Sequence, residues 1–157
     1  MRNTPSSTGT LLRGGVLVTK CHIVTASHCF VGEKLSSLRV LVVISNFNNE
    51  AEVIDVEKEK LDGDDHDITV LKLKKEVIFH LARTIPVYDQ FYDKDDVQLE
   101  IIGWDKTERG SPVLYSYNGV QKLIDVNEAQ CKKSCSRINT QARVYNYRDF
   151  IKDMIYV

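Results

Sequence analysis

The sequence has no long apolar run. None of its 157 residues falls in a stretch approaching the roughly 18 apolar residues that a membrane-spanning helix needs. Glycine and proline are scarce, at eight and three residues, too few for a fibrous or disordered chain. Charge of one sign is also missing. The formal net charge is −1, which argues against a general nucleic-acid binder. The first segment, MRNTPSSTGT, lacks the apolar stretch of a secretory leader, so no signal peptide is expected in it. Repeats and low-complexity tracts are absent as well. What remains is 43% hydrophobic and 27% charged. That fits one globular domain burying roughly 70% of the surface its unfolded form exposes.

Four cysteines are present: Cys21, Cys29, Cys131 and Cys135. If all were paired, three connectivities would be open. The spacing Cys21–His22…His28–Cys29 does not group Cys and His as a zinc finger does. No metal and no cofactor is expected. The strongest local bias is acidic: Glu50 to Asp67 holds nine acidic residues against Lys58 and Lys60. A calcium loop of the EF-hand kind fails, because counting from Asp62 puts Asp67 at the glycine position and Leu73 at the glutamate position. The run is expected to be a solvated loop.

The hydrophobic pattern is mostly that of strands. Gly15 to Val18 and His22 to Thr25 read as short strands around a Thr19–Lys20 turn. Leu38 to Ile44 (LRVLVVI) is nearly continuous and β-branched, as in a well-buried strand. Ile68 to Leu73 follows, with Ile68, Val70 and Leu71 facing inward. Val97 to Trp104 and Gly119 to Val126 alternate apolar and polar. Asn118–Gly119 is the strongest hairpin signal. Only the C-terminus reads as helix: Phe150, Ile151, Met154 and Ile155 form one apolar stripe, with Asn146 as the expected N-cap. The expected class is all-β with a terminal helix, as a barrel or sandwich of short strands.

Four segments carry more specific information. The first is GGVLVTKCHIVTASHCF, with Gly14–Gly15 and then Thr25–Ala26–Ser27–His28–Cys29. The second is HDITVLKLK, which begins at His66–Asp67. The third, IIGWDKTERGSPVLYSYNGVQKLIDVNEAQCKKSC, holds Gly103, Trp104, Thr107 and Cys131. The fourth is VYNYRDFIKDMI. In type, spacing and order they resemble the trypsin/chymotrypsin family of serine proteases. The first resembles that family's Gly-Gly, paired strands and Thr-Ala-Ala-His-Cys. The others are similar to its Asp-Ile-Ala-Leu-Leu strand, its Gly-Trp-Gly-x-Thr and Asn-Glu-x-Cys segments, and its C-terminal helix.

The resemblance implies a trypsin-like double β-barrel. The first barrel, about residues 10–90, is expected to be largely present. The second, 91–143, is expected to be partial, and 144–157 forms the C-terminal helix. It also implies two catalytic residues. His28 would be the general base, and Asp67 the aspartate that orients it and stabilises its cation. The family's nucleophile lies in Gly-Asp-Ser-Gly-Gly-Pro, and no such segment exists here. Among ten serines only Ser111 touches a glycine, as Arg109–Gly110–Ser111–Pro112. The alignment to the family sets that stretch on the loop after Gly103–Trp104, far from the nucleophile's place. The missing strands are expected in the short interval 132–143.

The expected function is therefore that of a serine protease homologue without peptidase activity, acting by binding. The alternative is a serine endopeptidase whose nucleophile comes from a missing segment or a partner chain. Arg13 stands where the family has a cysteine to pair with Cys29, and the family partner of Cys131 falls in the missing stretch. Pairing of Cys21 with Cys29 and of Cys131 with Cys135 stays open, although short loops often fail to meet the required spacing; four thiols are favoured. Expected partners are a protease inhibitor, a protease or a substrate-like protein, not nucleic acid or membrane. Self-association through open strand edges is also expected. On the resemblance, the location is extracellular.

Overall fold

Val16–Thr19 (β1) and His22–Thr25 (β2) pair antiparallel around a turn at Lys20–Cys21. The turn falls one residue later than the pattern suggests, because Thr19 stays in the ladder opposite His22. The computed structural model describes residues 14–30, 33–43, 51–61, 67–78, 82–87, 99–102, 111–127 and 141–156. Within them Arg39–Val43 (β3), Ala51–Leu61 (β4) and Thr69–Leu73 (β5) complete a five-stranded antiparallel sheet, ordered β1-β2-β5-β4-β3.

β4 corrects the expectation of a solvated loop across the acidic run. Its charges hide a period-two alternation. Ile54 and Val56 are buried, while Asp55 and Glu57 face water beside Arg39, Lys74 and Lys72. Exposed ion pairs of this kind contribute at most about 1 kcal/mol each. The two buried aliphatics are what hold the strand. Residues 62–66 lie outside the described residues. β4 also bends the sheet. Its first half pairs with β3 and its second half with β5, with a register shift between Val56 and Lys58. Such a shift kinks a strand and increases its twist, and the sheet curls into a half-barrel.

The central strands β2 and β5 are covered on both faces. Ile23, Leu71 and Leu73 enter one cluster with Ile54, Val56 and Val77. Val24, Ile68 and Val70 enter a second cluster on the other side. β3 is less buried than its composition suggests. Leu38 and Val42 are buried but Leu41 is exposed, as on the outer strand of an antiparallel sheet with one wet face.

A second sheet contains Glu100–Ile101 (β6), Pro112–Tyr117 (β7), Val120–Asn127 (β8) and Gln141–Arg143 (β9), in that order and antiparallel. Of the strand expected over Val97 to Trp104 the described residues cover 99–102, and of these Glu100–Ile101 are strand. β7 is not legible as an alternating strand, because adjacent Val113 and Leu114 are both buried across a register shift. β7 and β8 meet at Asn118–Gly119, as expected. Both residues have positive φ, 50° and 77°, the geometry of a two-residue type I′ hairpin turn.

The two sheets share one core. Val16, Val24, Ile68 and Val70 of the first pack with Leu114, Leu123 and Val126 of the second. The segment 82–87 stitches them together. The Ile85 N–H donates to the Leu17 carbonyl (2.9 Å), and the Leu123 N–H donates to the Pro86 carbonyl (2.9 Å). The C-terminal helix, Arg148–Ile155 (α1), closes the same core with Ile151 and Met154. So short a helix is marginal alone and depends on this docking. Asn146 is not its N-cap. It lies inside the 3₁₀ turn Val144–Tyr147, and Tyr147 holds the cap position without a side-chain bond. The lead-in is braced instead by Arg148, which lies over the Tyr145 ring (4.3 Å) and donates to the Tyr145 carbonyl (3.3 Å).

The architecture is all-β, with a curled half-barrel, a smaller second sheet and one short helix. Leu123 is fully buried where the sheets meet, so Leu123→Ala should cost about 3 kcal/mol. Gly119 has open space around it but a positive φ, so Gly119→Ala should cost only about 1 kcal/mol, from backbone strain. Urea denaturation of the two variants measures both values and their order.

Candidate active site

The β2–β5 ladder ends at Thr25 opposite Thr69. Beyond that rung the chain turns through Ala26 into the single 3₁₀ turn Ser27–Phe30. Two bonds pin this turn to the start of β5. The Ser27 N–H donates to the Asp67 carbonyl (3.2 Å), and the Ser27 and Thr69 hydroxyls bond to each other (2.8 Å). His28 and Asp67, 39 positions apart, are thereby set side by side.

Asp67 uses both carboxylate oxygens on His28. Oδ1 accepts the backbone N–H of His28 (2.6 Å), and Oδ2 accepts from the ring Nδ1. The two side chains are about four-fifths buried, at 20% and 21% exposure. An ionised carboxylate can only accept, so the contact places the ring proton on Nδ1 and a lone pair on Nε2. That is the tautomer a general base requires, with a carboxylate placed to stabilise the imidazolium that follows. The structure thus brings together both residues singled out in the sequence, in a geometry able to accept and return a proton.

Ser111 immediately precedes β7 and sits against Gly14 of the first sheet's leading edge, a proximity that the sequence did not show. A Cβ built on Gly14 would lie 2.9 Å from Ser111 Oγ. Gly14 in turn accepts the Thr25 hydroxyl on its carbonyl (2.8 Å). Leu114 packs with Val16 and Val24, and this packing carries the head of β7 to the mouth of the β1–β2 hairpin. The sequence held two hints: the lone Gly–Ser pair, and the Asn118–Gly119 hairpin that fixes a strand before it. Ser111 is only 2% exposed, and Pro112 beside it has no N–H to offer.

Among the described residues, no group of three or more His, Cys, Asp or Glu is placed to hold a metal ion. Cys21 is a free thiol. The side chain of Cys29, and Cys131 and Cys135 altogether, lie outside the described residues, as do Gly103, Trp104 and Thr107. No helix among the described residues is long and apolar enough to cross a membrane.

Asp67 ties β5 to the turn through two charge-assisted bonds, each of the kind that contributes about 1.5–3 kcal/mol. Asp67→Ala should destabilise the fold by about 3 kcal/mol in chemical denaturation. Asp67→Asn, which keeps an acceptor for the backbone N–H, should cost roughly half as much. Its amide would then oppose Nδ1–H, and nitrogen NMR of His28 should report a shift of the proton to Nε2.

A family model described as Trypsin matches residues 3–151, nearly the whole chain. No curated protein matches it. The span of that match, together with the curled sheet that sets a histidine on a buried-edge aspartate, places this chain in the trypsin family of serine proteases.

Proposed function

We propose that this chain is a non-catalytic trypsin homologue that acts by binding a protein or peptide partner outside the cell. The observation that carries this is the state of Ser111. It is the serine that the second sheet delivers to the first, yet its hydroxyl lies against Gly14 and the residue is 2% exposed. A nucleophile must meet a peptide carbonyl, and a residue so covered does not. Its surroundings support the same reading. No serine in the chain is followed by glycine, so none has the tight glycine turn whose converging amides stabilise an oxyanion. Attacking group, base and anion cradle act as a unit. Without the first and last, only a small residue of the usual rate advantage survives.

On this reading the His28–Asp67 pair is a retained structural clamp between β2 and β5, and the surface beside it is where the partner binds. The partner classes that fit a protease-shaped surface are a protease inhibitor, a protease, or a substrate-like protein.

Treatment of the purified chain with a biotinylated fluorophosphonate, beside active trypsin, tests the proposal. The expected result is no labelling above that of the heat-denatured chain. Stoichiometric labelling of the folded chain would overturn it. Labelling abolished by Ser111→Ala would then identify this residue as the nucleophile of an endopeptidase using His28 and Asp67. Labelling that survives Ser111→Ala would place the nucleophile elsewhere in the chain.

A further inference from the structure

His22 opens β2 at the end of the ladder away from His28, directly opposite Lys72 of β5. It is a buried polar residue, 6% exposed. Its Nδ1 lies 2.7 Å from the Thr19 hydroxyl and 3.6 Å from the Cys21 sulfur. Thr19 Oγ1 also accepts the Cys21 N–H (3.3 Å), and its second lone pair leaves it able either to donate to Nδ1 or to accept from it. The other ring nitrogen, Nε2, is buried and has no hydrogen-bond partner among the described residues. A buried polar atom left unpaired costs free energy. The site therefore sits under strain even with the imidazole neutral.

We infer that His22 is an acid-sensitive lock, through which protonation of one buried imidazole loosens the β2–β5 ladder and, with it, the His28–Asp67 pair. Two effects act in one direction when the ring takes a second proton. Nε2 must then carry a proton, buried and with no acceptor among the described residues. A cation forms beside Lys72 in a desolvated position, where like charges repel more strongly than in water.

The other charges around the site do not offset this. Glu57 of β4 pairs with Lys72 (3.5 Å) but is half exposed. Lys58 of β4 stands opposite Lys72 in the ladder. Lys20 in the adjoining turn pairs with Glu76 (3.5 Å). Burial first, and then the Lys72 charge, hold the His22 pKa below the ordinary histidine value of 6.5. The open chain therefore takes up the proton before the folded ladder does. Stability is full well above pH 6.5 and is lost as pH falls through that value toward the depressed one.

The coupling to the pair is mechanical. The same two strands carry His22 and Lys72 at one end, and Thr25 and Thr69 at the other. Just beyond the lock, at the end of the ladder away from His28, the Leu73 N–H donates to the Cys21 carbonyl (2.8 Å), and the next rung inward is Ile23 opposite Leu71. The coupling is indifferent to whether the His28–Asp67 pair handles a substrate proton.

Amide hydrogen exchange between pH 7.5 and 5.5, corrected for the intrinsic rate, tests it on the full chain. The Leu73 amide and the β2 amides should lose protection on acidification, by about tenfold for each unit by which the His22 pKa is depressed. His22→Phe and His22→Gln should flatten that dependence, and His28→Ala should keep it. Equal acid dependence in the parent and both His22 variants would overturn the inference. If the variants fail to fold, NMR titration of the His22 ring in the parent decides. A midpoint below 6.5 that tracks the loss of protection supports the lock, and a midpoint at or above 6.5 overturns it.

Discussion

Everything at the candidate site depends on the pairing of β2 with β5. The four rungs from His22–Lys72 to Thr25–Thr69 bring together two segments that are remote in sequence. The Ser27–Thr69 and Ser27–Asp67 bonds then convert strand register into side-chain position. A shift of one residue would exchange the faces of the ladder. Val24 and Val70 would leave one core, Ile23 and Leu71 would leave the other, and Asp67 would leave His28. The register is held because both faces are buried and neither tolerates the exchange.

The second constraint is the core shared by the two sheets. Val16, Val24 and Val70 meet Leu114, Leu123 and Val126, and Ile151 and Met154 seal the same volume. One hydrophobic cluster thus performs three tasks: it docks a helix too short to stand alone, it joins the sheets, and it sets Ser111 on Gly14. The smaller second sheet is not an appendage. It supplies one wall of the core on which the His28–Asp67 pair rests.

Much of the site was legible in the sequence. Thr25–Ala26–Ser27–His28–Cys29 and His66–Asp67–Ile68 pointed to the two residues that the structure joins. Asn118–Gly119 announced its hairpin because a type I′ turn needs two residues that accept positive φ, a local requirement. β4 was hidden because its six charged residues outweighed two inward aliphatics, and burial is decided by partners rather than by composition. LRVLVVI was over-read for the same reason, since its residues favour strands in general while its place at the sheet's edge leaves Leu41 wet. Asn146 is a good cap by type, yet the chain winds through a 3₁₀ turn there under the pull of Tyr145 and Arg148.

The sequence by itself determined the class, most strands, the hairpin turn and the histidine–aspartate pairing, because each follows from local preference or from a short run of specific residues. Tertiary structure alone decided where Ser111 lies, that His22 is buried with an unpaired nitrogen, and that an acidic run is a structural strand. Each of those depends on which surface a residue meets across the core. That is a property of the assembled sheets, and no window of neighbouring residues contains it.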